Sequence, residues 1–412
     1  MEKIILKSTD QLSSMKAKKD LWDVVNYIDN IFKDAIESWA SDIHIEPNED
    51  FIVLRFRRDG DFFVYDKVDN RNTSALTTRL KVLAMVKIDE NKKPQDWKIV
   101  YDYEAEDQNV DIRFSTLPTK YWEKVVMRIL KQDSSLTNIE ALWLIEVNLN
   151  KVREALKSQY WIMLISGPTG SWKSTTLFWI LKNYNPLEYN ISTLEDPIEY
   201  DIEFVNQSQV KPQIWYTFGS WLRTLLRQDP DIIMVWEIRD SETAALAVEA
   251  ALTWHLVLST IHTNSAPGTI WRLINMGVEP FLISSAMKMI ISQRLGKKVC
   301  SSCKENFTPK ETELSKAREY LKNILDEDSL NNLQFYKWKW CEKCNWTWYK
   351  WRLWIHEVLI VEDYLEPLIL GEASDNEMKD AAIENWMITI VQDWLLKALL
   401  WETTVEEAFK LI

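Results

Sequence analysis

Glycine is the scarce residue of this sequence, with 8 in 412 positions, where an ordinary globular chain carries about 7%. That poverty excludes collagen-like and glycine-rich low-complexity architectures. It also leaves tight turns and helix ends short of their usual residue. Cysteine is rarer still: 4 residues, all in two C-x-x-C pairs. The N-terminal MEKIILKSTDQLSSMKAKKD lacks the apolar region and small-residue cleavage site of a secretory signal. Together these features point to a reducing compartment and a metal site rather than a disulfide framework. No run of about 18 apolar residues occurs, which excludes a membrane-spanning helix. Positive charge is in deficit, with 49 Lys and Arg against 62 Asp and Glu, a net −13. That balance weighs against a broad nucleic-acid-binding surface, though not against a local basic patch.

Tryptophan is in excess instead, with 22 residues. Glycine and tryptophan together make up about 7% of the chain, the usual share of glycine alone. The expectation is that most tryptophans stand at glycine positions. A gene that reads UGA as glycine, translated with a table that gives tryptophan, produces this pattern. The rival reading is a tryptophan-rich protein such as a carbohydrate binder, with indoles on apolar or stacking faces rather than at turns.

Residues 166–176, SGPTGSWKSTT, bring that expectation to a point. They are one residue short of the phosphate-binding loop G-x-x-x-x-G-K-[ST], because Trp172 stands where glycine should precede Lys173. Glycine serves there because the loop must bring backbone N–H groups close around phosphates.

With 46% hydrophobic and 27% charged residues, the chain can bury a core, and its length suggests two or three domains. Residues 20–39 place apolar residues at helical spacing. IVLRFRRDGDFFVY alternates like a hairpin turning at Asp59-Gly60. SALTTRLKVLAMVKI reads as a helix, and VDIRFSTLPT and KVVMRIL as strands. Residues 1–132 therefore form a small α/β domain, with a polar linker around QDSSLTN. The apolar runs YWIMLISG, YNISTLED, DIIMVWE and HLVLSTIHTN then each end at glycine or polar residues, as buried parallel strands do. Ligands bind at the carboxyl ends of such strands, which places Glu195, Asp196, Glu237, His262 and Thr263 beside the loop.

GPTGSWKSTT, STLEDPIEY, LLRQDPDIIMVWEIRD and ALTWHLVLSTIHTN resemble, in order, the Walker A, Asp, Walker B and His boxes of the type II secretion and type IV pilus assembly ATPases. SDIHIEP, VLRFRRDGDF, KPQDWKI and STLPTKYWEKVV resemble that family's PAS-like N-terminal domain, and CEKCNWTWYKWRLWIHEVL its zinc-binding segment. The resemblance runs over about residues 20–410. It puts the family's glycines where this chain has Trp39, Trp97, Trp122, Trp172, Trp236, Trp254, Trp346, Trp348, Trp351 and Trp354, and less firmly at Trp179 and Trp271.

The resemblance implies a RecA-like ATPase core over 140–296 after a linker at 133–139, a tetracysteine segment over 297–356 and a helical region over 357–412. ATP would lie on Gly167, Pro168, Thr169, Gly170, Ser171, Trp172, Lys173, Ser174 and Thr175. Lys173 would reach the β- and γ-phosphates, and Ser174 would ligate Mg²⁺. Glu237 would orient the attacking water, with Glu195, Glu199 and His262 near the metal and the γ-phosphate. Arg55 and Arg57 match positions of arginine fingers. Against each stands a plainer reading: a strand-end carboxylate is usually a solvated cap, a lone histidine is usually structural, and alternating arginines on a hairpin usually face solvent. Asp42 and His44 are expected to hold the small domain together.

Cys300, Cys303, Cys341 and Cys344 suit tetrahedral Zn²⁺, although the pairs lie further apart than in the usual zinc ribbon, and four unpaired cysteines are the alternative. Four thiolates would leave no open position, so the site is structural. The resemblance thus implies a cytoplasmic homo-hexamer that turns ATP hydrolysis into pilus or pseudopilus extension at the inner membrane, through a platform protein and without direct nucleic-acid binding. The tetracysteine segment favours assembly over retraction. A DNA-uptake or conjugation motor, or an inactive ring in which Trp172 is real, are the alternatives.

Overall fold

The computed structural model describes residues 23–58, 61–103, 108–130, 142–158, 160–198, 202–210, 217–300, 302, 304–338 and 349–410. The chain divides into two compact units, Met1–Ser134 and Ser135–Ile412. The linker motif 132–138 and the turn at 59–60 lie outside the described residues.

The first unit opens with helix α1 (Val24–Glu37). Asp23 caps it by accepting from the Asn26 N–H, and it buries Ile28, Ile31, Phe32, Ala35 and Ile36. That 3–4 spacing is one helical stripe. The stripe packs on an antiparallel six-stranded sheet of order β3-β2-β1-β6-β5-β4. Its strands are β1 (Asp42–Pro47), β2 (Phe51–Arg58), β3 (Asp61–Asp69), β4 (Gln95–Tyr103), β5 (Gln108–Pro118) and β6 (Glu123–Leu130), with helix α2 (Thr73–Leu83) between β3 and β4.

The second unit is an α/β fold on a seven-stranded sheet of order β15-β12-β7-β11-β10-β8-β9. After helix α3 (Glu146–Leu156) come β7 (Trp161–Ser166), α4 (Lys173–Leu181), β8 (Ile191–Glu195) and β9 (Asn206–Gln209). Helix α5 (Phe218–Leu225), β10 (Ile232–Val235), α6 (Ser241–Leu252), β11 (Leu256–Ile261), α7 (Pro267–Asn275), α8 (Pro280–Ala286) and β12 (Met287–Val299) follow. All these neighbouring strands are parallel. β10 and β11 are buried along their whole length and β7 almost so, which is why they read as unbroken apolar runs with helices on both faces. A small hairpin, β13 (Lys304–Phe307) with β14 (Phe335–Trp338), encloses helices α9 (Glu311–Leu321) and α10 (Glu327–Asn331) in sequence. β15 (Tyr349–Ile360) then returns antiparallel to β12. Residues 349–360, divided in the sequence reading between the tetracysteine segment and the helical region, are thus one edge strand of the main sheet. Helices α11 (Glu366–Leu370), α12 (Asp375–Glu384), α13 (Ile390–Leu399) and α14 (Val405–Phe409) complete the chain.

The backbone treats tryptophan as glycine at many sites. Of eleven non-glycine residues with positive φ among those described, seven are Trp: 39, 143, 161, 172, 254, 386 and 401. Four of them directly follow a helix. There the next N–H bonds back five residues: Ala40 to Ala35 at 2.9 Å, His255 to Ala250 at 3.3 Å, Met387 to Ala382 at 2.8 Å and Glu402 to Lys397 at 2.9 Å. Gly277 ends α7 with the same bond, Val278 to Leu273 at 3.2 Å. This is the left-handed helix terminus that favours glycine. Met85 and Glu372, both unbranched at Cβ, fill it elsewhere. Trp254 and Trp386 are each 73% exposed, against the habit of large aromatics. Trp394 behaves oppositely. It is buried, its indole N–H donates to Thr403 at 3.3 Å, and a Cβ on Gly296 would come within 2.7 Å of its ring.

Candidate nucleotide site

Three adjacent parallel strands deliver the site. β7 ends at Ser166 and runs into the loop 167–172. β11 ends at Ile261, next to His262. β10 ends at Val235, two residues before Glu237. Gly167 sits at φ +146, and a Cβ there would come within 2.5 Å of the Gln293 carbonyl oxygen, so only glycine fits. Gly170 also has positive φ. Trp172 is the N-cap of α4 at φ 63, ψ 37, and no side-chain bond caps the helix there.

Lys173, the first residue of α4, is buried, and its ammonium donates to the carbonyls of Gly167 at 3.0 Å and Pro168 at 3.2 Å. Burial lowers its pKa to about 8, the Arg294 charge works in the same direction, and the Glu237 carboxylate opposes both. Glu237 accepts from Nε of Arg239 at 2.8 Å and lies 3.0 Å from Nε2 of His262. Arg239 also reaches Asp196 at 3.6 Å. Burial holds His262 below its ordinary pKa, with Lys173 and Arg239 acting the same way and Glu237 against them. A cation, a carboxylate and an imidazole therefore converge at the mouth of the loop.

Ser174 and Thr175 sit half-buried in the first turn of α4. Glu195 is buried at the end of β8, where it accepts from Thr193 of the same strand at 2.7 Å and from Gln207 of β9 at 2.9 Å. Glu199 lies outside the described residues. Thr263 bonds to the Ser265 carbonyl in its own turn at 3.2 Å and to Thr269 of α7 at 2.7 Å. Arg55 and Arg57 belong to the first unit. Their guanidinium groups lie 4.3 and 4.2 Å from the centre of the Phe62 ring. Arg55 also pairs with Glu46, which Lys124 contacts at 2.8 Å. Burial works to raise the Glu46 pKa, but hydrogen bonds from His44, Arg55 and Lys124 hold it well below the carboxylate range. Cys300 is buried at the end of β12, while Cys303, Cys341 and Cys344 lie outside the described residues.

The sequence reading missed Gln293 and Arg294 and gave Arg239 no role. Arg294 donates to the Asn264 carbonyl at 3.0 Å, tying the turn after His262 to β12. A signal was there: SQR interrupts the apolar run MIISQRL, and polar residues inside a buried strand must find partners.

The family model described as "Type II/IV secretion system protein" matches residues 17–410. The chain is 44% identical over 381 residues to the "Type IV pilus assembly ATPase PilB" of Thermus thermophilus, covering 92% of this chain and 42% of that protein. It is 40% identical to the "Type II secretion system ATPase E" of Vibrio cholerae, covering 94% of this chain and 75% of that one. Among solved structures, the pilus retraction motor PilT with bound ADP aligns over 95% of this chain and 97% of its own, with a TM-score of 0.63 and 25% identity. The chain thus spans less than half the length of the Thermus relative and three quarters of the Vibrio one.

Proposed function

The chain belongs to the type II/IV secretion system protein family, and on that premise we propose that it is the ATP-hydrolysing motor of a type IV pilus assembly or type II secretion machine. The observation that carries this is the convergence of Lys173, Glu237 and His262 at the ends of three neighbouring strands. Lys173 leaves its loop carbonyls for the β- and γ-phosphates, and the N–H groups of 167–174 line the loop. Glu237, held by Arg239 and His262, orients the attacking water. Ser174 would hold Mg²⁺, which would supply positive charge against the phosphates. Glu195 and Glu199 would stand near the metal and the γ-phosphate, and Arg55 and Arg57 would supply positive charge in the assembled ring. The PAS-like first domain, the RecA-like core, the domain limits given above and the homo-hexamer belong to the same proposal. So do the cytoplasmic position at the inner membrane and the platform partner. Among the described residues, no helix is long and apolar enough to cross a membrane. The buried Cys300 thiol suits one corner of a structural Zn²⁺ site completed by Cys303, Cys341 and Cys344.

This reading requires glycine at the positive-φ tryptophans. We infer that 39, 143, 161, 172, 254, 386 and 401 are glycine in the native protein, while Trp394 is tryptophan. The first group has the backbone that glycine serves, and Trp394 has the partners that an indole needs. The test is Mg²⁺-dependent phosphate release by the full chain carrying glycine at those seven sites and at the remaining family glycine positions. A chain so made that folds but binds no ATP would sink the proposed function.

A further inference from the structure

Gln293 lies inside β12, fully buried, opposite His356 of β15. Its side-chain Nε2 donates to the Ser171 carbonyl, and its Oε1 accepts from the Thr176 hydroxyl at 2.8 Å. Its own backbone carbonyl is the atom that excludes a Cβ at Gly167. One residue of a neighbouring strand therefore touches the loop at its start, at its end and one turn into the helix it opens.

We propose that Gln293 is the positioning residue of the phosphate loop, setting the peptide between residues 171 and 172 so that its N–H faces the nucleotide. The proposal rests on the ATP reading above. A trans peptide points its C=O and N–H in opposite directions. Holding the Ser171 carbonyl on β12 therefore turns the N–H of residue 172 away from β12, toward the side where the loop faces the ligand. The Thr176 bond fixes the same carboxamide from its other end, so it cannot flip without losing both partners. A carboxamide is suited to this bracket because it carries a donor and an acceptor on one planar group.

The test uses the glycine-bearing full chain and its Gln293→Met and Gln293→Glu variants, with ATP affinity and steady-state kinetics followed from pH 5.5 to 8. Gln293→Met keeps the volume but neither bond, so the KM for ATP should rise about tenfold, with kcat changed less. Gln293→Glu keeps the acceptor for Thr176 but sets a carboxylate against the Ser171 carbonyl, favouring the flipped peptide. At pH 8 it should be at least as impaired. As pH falls the buried acid, its pKa raised by desolvation, gains the proton that restores a donor, so affinity should recover while the parent's does not improve. A merely space-filling Gln293 would not produce that reversal. If Gln293→Met does not fold, the reversal in Gln293→Glu decides alone. ATP binding by both variants that equals the parent's at every pH, or a pH-independent loss in Gln293→Glu, would overturn the proposal. A parent that binds no ATP would overturn it together with the function it rests on.

Discussion

Glu237 Oε1 lies 3.0 Å from His262 Nε2, while its other oxygen accepts from Nε of Arg239 at 2.8 Å. The carboxylate is fixed on both oxygens before any substrate arrives, so its orientation costs nothing at the moment of reaction. Glu237→Gln keeps the shape and the Arg239 contact on one oxygen but loses the charge. In the glycine-bearing chain it should bind ATP as the parent does and release phosphate about 10²–10⁴-fold more slowly. Equilibrium nucleotide binding beside phosphate release separates the two effects. Unchanged turnover would remove Glu237 from the chemistry.

His356 is fully buried on β15, and neither ring nitrogen has a hydrogen-bond partner. Burial first, and then the Lys397 charge, hold its pKa well below 6.5. The unfolded chain binds that proton more readily, so folding stability is fully present above the unfolded pKa and is lost progressively as pH falls from there toward the lowered folded pKa. The loss is roughly 1.4 kcal/mol for each pH unit by which burial lowers the folded value. His356→Leu should therefore lose less stability between pH 7 and pH 5 than the parent, as read from urea unfolding at each pH. Equal losses would show that other groups set the acid limit. Glu357 and Asp393, whose carboxyls burial raises, act in the opposite sense, their contribution fading as pH rises through the raised values.

The opposite surroundings of Trp386 and Trp394 make the glycine assignment measurable. Trp386 is exposed at φ 63 after a helix, so Trp386→Gly should stabilise the chain by about 1 kcal/mol, as left-handed strain is relieved. Trp394 lies in a helix interior within a buried cluster, so Trp394→Gly should cost at least about 3 kcal/mol. Mass spectrometry of the native protein should find glycine masses at 39, 143, 161, 172, 254, 386 and 401 and a tryptophan mass at 394. Tryptophan masses at the first seven would end the recoding idea.

The loop, the four central strands and Glu237 were legible in the sequence because continuous apolar runs stop where the chemistry begins. In the first unit α1, α2, β2, β3, β5 and β6 were legible from apolar spacing, as in the stripe of α1, whereas β1 and β4 were not read as strands. β12 and β15 were not, because their partner strands come from distant parts of the chain and their interiors carry Gln293, His356 and Glu357. Gln293 bonds to the loop 167–172 and to α4, and Glu357 accepts from the Ala266 N–H at 2.7 Å, whereas the buried His356 ring has no hydrogen-bond partner. The left-handed helix ends at Trp386 and Trp401, and the positive φ of Trp143 before α3, had no motif to mark them, and only backbone dihedrals single them out.

Zinc is open to a direct test through the buried Cys300. Purified glycine-bearing chain should carry about one Zn²⁺, and Cys300→Ser should lower both metal content and melting temperature, since structural zinc contributes to folding. Metal-free protein with an unchanged melting temperature would refute the site.

The loop itself supplies the last test. Trp172 holds φ 63 at the N-cap of α4, where a bulky residue is an outlier and strain of roughly 1–3 kcal/mol follows. Its ring meets Trp354 edge-on at 5.1 Å between centroids, and Trp354 in turn lies 5.4 Å from Trp179. Trp354 is buried with its indole N–H unpaired, a cost that a genuine tryptophan rarely carries. The three rings occupy one region between the loop, α4 and β15, so they act as a unit. Trp172→Gly alone relieves the backbone but leaves Trp354 and Trp179 pressing on the loop's helix. It should recover less than about a tenth of the hydrolysis of the chain with glycine at all family positions, because effects of groups that act together are not additive. Adding Trp354→Gly should recover more than the sum of the two single changes. The measurement is phosphate release at saturating Mg²⁺ and ATP across the five chains: every indole kept, each single change, the pair, and glycine at all family positions. Brisk hydrolysis by the chain that keeps every indole would show that the loop closes around phosphate despite Trp172, and the requirement for glycine there would fall.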